Sequence, residues 1–80
     1  MLASFHSGKY VCFRNLLIKA RKDSGLTQVE LARHLSLPQS FVSKYERGER
    51  RLDFTEFIEI SEILKIDLTK FILDYKKQLD

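Results

Sequence analysis

Apolar residues recur along this chain at three- and four-residue intervals, with no run of strict alternation. That pattern predicts helices and no sheet. From Gly8 to Ser24 the apolar stripe is Tyr10, Phe13, Leu16, Leu17 and Ala20; Ser7 is placed to cap it, and Gly25 ends it. Lys19, Arg21 and Lys22 near its end suit the helix dipole. Thr27 with Glu30 three residues on is a capping-box pair. Leu31, Ala32 and Leu35 then give a helix from Gln28 to Leu35 a single buried face. Pro38 suits the first position of the next helix, which runs to Arg47 with Val42 and Tyr45 inward. Gly48 stands where a helix C-terminus needs positive φ. Asp53 and Glu56 repeat the capping box before a helix from Phe54 to Leu64. That helix buries Phe57, Ile60, Ser61 and Leu64, and Phe54, Ile58 and Ile63 form a second apolar edge. Asp67 caps a last helix with the stripe Leu68, Phe71, Ile72, Tyr75 and Leu79.

Five helices with short links predict one compact all-α domain over residues 7–80, preceded by an arm at residues 1–6. Eighty residues are near the lower size for a self-sufficient core, so self-association is a natural supplement. The net charge of +3 is compatible with nucleic acid but does not single it out. Its distribution says more: Arg47, Arg50 and Arg51 cluster after the third helix, while Glu56, Glu59 and Glu62 line the fourth. The single cysteine, Cys12, excludes an internal disulfide and fits a reducing, cytoplasmic setting. Neither a signal pattern nor an apolar run of membrane-spanning length is present.

The stretch Leu26-Thr27-Gln28-x-Glu30-Leu31-Ala32, the apolar Leu35 and Leu37, and Val42-Ser43-Lys44-Tyr45-Glu46-Arg47-Gly48 resemble the helix-turn-helix of the phage lambda repressor and Cro-like (XRE-type) DNA-binding domains. The resemblance extends from about Phe13 to Ile72. It departs from the family pattern at Ser36, where a glycine is usual; a serine in a left-handed turn costs about 1 kcal/mol.

The resemblance implies that the helix beginning at Pro38 enters the major groove of double-stranded DNA, leading with its N-terminal residues. Its outward residues are expected to be Gln39, Ser40, Ser43 and Lys44, the candidates for base contact. Gln can bond adenine bidentately, Lys can donate to guanine, and Ser is tolerant. Phe41 is open between a thymine methyl and a neighbouring helix. Gln28, at the start of the second helix, is placed for a phosphate, followed by Arg47, Arg50 and Arg51. Arg21 and Glu46 resemble a family pair joining the first helix to the end of the reading helix. The alternative for each polar residue is a solvated helix face.

Nothing in the residues points to an enzyme, a cofactor or a metal. His6, Cys12 and His34 lack ligand spacing, and Glu56, Glu59 and Glu62 stand at the helical spacing of a solvated face, with no histidine near them. The expected function is a sequence-specific transcriptional regulator, bacterial or phage, acting on an operator as a dimer on a two-fold site. The competing expectation is an antitoxin-like protein that binds a partner protein and represses its own operon.

Overall fold

The computed structural model describes residues 8–79. The expected arm at residues 1–6, with His6 and the cap Ser7, lies outside them. Five helices follow in order: α1 (Gly8–Asp23), α2 (Gln28–Leu35), α3 (Gln39–Arg47), α4 (Phe54–Leu64) and α5 (Leu68–Leu79). No strand occurs among the described residues.

Local chemistry sets the boundaries. Thr27 Oγ1 accepts from Glu30 N at 3.0 Å, and Glu30 Oε1 accepts from Thr27 N at 2.9 Å. Asp53 and Glu56 repeat the exchange at 2.8 and 2.9 Å. In each case a side chain satisfies an N–H that the first turn leaves without a carbonyl. Asp67 Oδ1 accepts from Lys70 N at 3.1 Å and starts α5. Pro38 stands one residue outside α3, as its N-cap at φ −64° and ψ 151°, instead of occupying the first helical position.

Four helices end in the left-handed region. Gly25 follows α1 at φ 77°, Ser36 closes α2 at φ 58°, Gly48 closes α3 at φ 81°, and Lys65 closes α4 at φ 56°. The serine and lysine bear the side-chain strain of that conformation. In return, Leu37 N reaches Ala32 O at 3.0 Å and Ile66 N reaches Ser61 O at 2.9 Å, so the last carbonyls are satisfied.

The core joins Leu16 and Leu17 of α1, Leu31 and Ala32 of α2, Val42 and Tyr45 of α3, Ile60 and Leu64 of α4, and Phe71 of α5. Phe13 extends it, its ring 5.3 Å from that of Phe57 and 6.1 Å from that of Phe71, both edge-on. Ser24 Oγ donates within reach of Ala20 O at 2.8 Å and Leu64 O at 3.2 Å, tying the end of α1 to the end of α4. The stripe expected on α5 is only partly covered. Phe71 is buried, but Leu68, Ile72 and Leu79 are exposed, as is Phe54 on α4.

Candidate nucleic-acid interface

α3 is fixed by its inward face. Val42 and Tyr45 are fully buried against α1 and α2, and Gly48 turns the chain away behind them. Gly48 has a second constraint: a Cβ there would meet the Arg14 guanidinium, which lies over the turn. With the helix held on that side, Gln39, Ser40 and Lys44 are exposed on the other.

Ser43 corrects the sequence expectation. It is buried, and its hydroxyl accepts from Arg47 Nη1. Ser43 stands at helical spacing between Gln39 and Arg47, but it is covered there, with the Arg47 guanidinium against its hydroxyl.

A polar chain runs from α1 to the start of α3. Arg21 Nε donates to Glu46 Oε2 at 2.7 Å and Arg21 Nη2 to Glu46 Oε1 at 3.1 Å. Arg21 Nη1 also donates to Leu26 O at 2.9 Å. The two side chains are only 11% and 5% exposed. The hydrogen bond to Glu46 raises the Arg21 pKa further above its already high value. Glu46 Oε1 takes a further bond from Gln28 Nε2 at 2.8 Å, and Gln28 Oε1 takes one from Gln39 Nε2 at 2.7 Å. Arg21, Glu46 and Gln28 thus hold an exposed residue in the first turn of α3. Gln28 is half-buried, and its amide is engaged on both sides.

The basic residues after α3 each contact a different neighbour. Arg47 forks onto Glu49, at 2.8 and 3.1 Å, and draws that carboxyl below the usual carboxylate range. Arg50 forks onto Glu56 at 2.7 and 3.0 Å, and its hydrogen bonds are the main cause of the lowered Glu56 pKa. Arg50 also lies over Phe41, its Cζ 4.6 Å from the ring centroid. Arg51 lies over Tyr10, again at 4.6 Å. The hydroxyl of that tyrosine accepts from Leu52 N at 3.1 Å. Sequence reasoning misses the Glu49 and Glu56 forks and the Phe41 stack. Glu49, two residues after Arg47, is a visible signal; the Arg50–Phe41 contact depends on how the loop returns and has none.

An open groove of about 1180 Å³ runs between α1, α4 and α5. Phe13, Phe54, Phe57, Phe71, Ile72 and Tyr75 are among its walls, and Lys9 and Arg51 stand at it. Among the described residues, no group of three or more His, Cys, Asp or Glu side chains could hold a metal. No described helix is long and apolar enough to cross a membrane.

This geometry has close parallels. The family model described as "Helix-turn-helix" matches residues 17–71. No curated protein matches the chain. Among solved structures, an XRE-family like protein from Pseudomonas syringae pv. tomato strain DC3000 is similar at 39% identity and a TM-score of 0.84, over 94% of this chain and 92% of that one. The family match spans α2, α3 and the left-handed turn at Ser36 between them, along with α4 and parts of α1 and α5. On that ground the chain belongs to the XRE-type helix-turn-helix family of DNA-binding regulators.

Proposed function

We propose that the protein is a sequence-specific, double-stranded DNA-binding transcriptional regulator of the cytoplasm, with α3 as the helix that enters the major groove. The observation that carries this reading is the placement of Gln39. It is exposed in the first turn of α3, yet its amide is held by Gln28, which is held in turn by the Arg21–Glu46 pair. A reading side chain fixed before DNA arrives loses less freedom on binding. Gln39, Ser40 and Lys44 are the proposed base contacts; Ser43 is proposed only as support for Arg47. Gln28 and Arg51 are the proposed phosphate contacts, with Arg47 available if Glu49 releases it.

Selection of bound sites from random duplex DNA, followed by titration of variants, tests this. Gln39→Ala and Lys44→Ala are expected to relax preference at one or two positions, by about 1–3 kcal/mol where a side chain bonds a base bidentately. Arg51→Ala is expected to weaken all duplexes alike and to flatten the log–log salt dependence by about 0.9. An unchanged specificity profile in both α3 variants would remove α3 as the reader.

The open groove favours a second reading, in which the apolar walls take a protein. That occupant is either a second copy, giving a dimer on a two-fold operator with reading helices about 34 Å apart, or a different small protein, this chain then being the antitoxin-like member that represses its own operon. Inverted symmetry in the selected site supports the first; co-purification of a second small protein from the native host supports the second.

A further inference from the structure

Phe41 is apolar, lies in the first turn of α3, and is only half-buried. Its neighbours Val42 and Tyr45 occupy the core; Phe41 remains at the boundary between core and solvent. The ring is not left to rotate there. Tyr45 meets it edge-on, with centroids 5.8 Å apart and planes at 71°. The Arg50 guanidinium covers it, with Cζ 4.6 Å from the centroid.

Arg50 is itself held by Glu56 at the start of α4 and by the loop that leads to it. Nη1 donates to Glu56 Oε1 at 3.0 Å and to Arg51 O at 2.9 Å, and Nη2 donates to Glu56 Oε2 at 2.7 Å. Glu56 cannot swing away freely, because Oε1 also accepts from Asp53 N at 2.9 Å in the capping box. A planar, forked cation is the one side chain that can pair bidentately and stack at once. Its charge is matched by Glu56, so it has little left with which to neutralise a phosphate.

We propose that Arg50 is a positioning residue: anchored by Glu56, it fixes the Phe41 ring so that the ring's exposed surface contacts a thymine methyl group. An apolar side chain against that methyl is one of the readings the major groove allows. The inference rests on α3 being the groove helix, and it moves Arg50 from gripping the backbone to setting specificity.

The test uses the selected duplex with each thymine replaced singly by deoxyuridine, which removes only the methyl. Wild-type protein is expected to bind about fourfold more weakly at one thymine of each bound site, the worth of about one buried methyl. Phe41→Ala should bind thymine and deoxyuridine there equally. Arg50→Lys keeps the charge but loses the fork and the flat stack. It should bring the thymine/deoxyuridine ratio toward one and leave the salt slope unchanged. Glu56→Gln should shrink the same ratio from the other side, and thermal melting by circular dichroism checks that each variant is folded. Arg50→Gln should change the salt slope by far less than the 0.9 or so expected when a phosphate-neutralising charge is removed. If Arg50→Gln flattens the slope by about 0.9 with the ratio unchanged, Arg50 grips phosphate and the proposal is wrong. A selected site without a methyl-sensitive thymine, or equal ratios in wild type and Phe41→Ala, overturns it as well. If wild type selects no duplex at all, the groove-helix reading fails first.

Discussion

Around Glu46 the molecule buries charge and satisfies it; around Phe54 and Ile72 it leaves apolar surface in water. Glu46 is 8% exposed and takes bonds from Arg21 and Gln28. Phe54 is 75% exposed and Ile72 51%. Each arrangement is costly for an isolated small domain, since a buried charge must be matched and the apolar surface left exposed contributes nothing to folding. The first cost is met within the chain and bears on the exposed start of α3. The second is not met within the described residues, which is why the two regions invite different kinds of test.

Breaking the buried pair should have the largest effect. Arg21→Met leaves Glu46 as an uncompensated buried charge, and Glu46→Leu leaves Arg21 likewise. Each is expected to cost about 3–5 kcal/mol by denaturant unfolding. The double variant should recover much of that deficit, although Leu26 O and the Gln28 amide give up partners. Two small, additive decreases would mean that the pair is loosely held and cannot fix Gln39 through Gln28.

A smaller effect sharpens the same side of the comparison. Tyr45 is fully buried beside Glu46, yet its hydroxyl is the one buried side-chain polar atom without a partner among the described residues. Burial pushes the phenol pKa up, so it stays neutral. A desolvated, unpaired hydroxyl costs free energy that a plain ring does not. Tyr45→Phe should therefore raise stability by about 1 kcal/mol, with no dependence on pH between neutrality and pH 9 or so. A drop in stability would show that the hydroxyl has a partner.

What can be read from the sequence follows the range of the interactions. Thr27–Glu30 and Asp53–Glu56 declare their helices because a capping box is complete within four residues. Gly48 marks its turn for the same local reason, whereas Ser36 stands where a glycine is usual and its turn is legible only through the family resemblance. Ser43 misleads because polarity suggests exposure: Val42 and Tyr45 fix the inward direction of α3, but not how far its flanks are covered. The arginines after α3 are legible only in part. Their residue type suggests phosphate, whereas Arg50 finds Glu56 and Phe41 through the loop between α3 and α4. The α5 stripe is legible as a period, but a period does not say what, if anything, lies against it.

The smallest expected effect on stability comes from that uncovered face. If the groove between α1, α4 and α5 is open in the single chain, then Phe54→Ser and Ile72→Glu remove side chains that contribute little to its fold. Unfolding free energies should change by no more than about 0.5 kcal/mol, as for ordinary surface positions. Self-association should change instead. Wild-type protein is expected to associate weakly in sedimentation equilibrium, and the two variants, alone or combined, to sediment as monomers. Ile72→Glu carries the sharper signal, because a carboxylate in an apolar contact between copies must be desolvated without a partner. Should Phe54→Ser instead destabilise the chain by about 2 kcal/mol or more, in the range of emptied core sites, that ring is covered within the chain. The contrast with the Glu46 region would then disappear. Should wild type and both variants all remain monomeric while still binding DNA, the groove is not a contact between copies. A different protein would then be its remaining protein occupant.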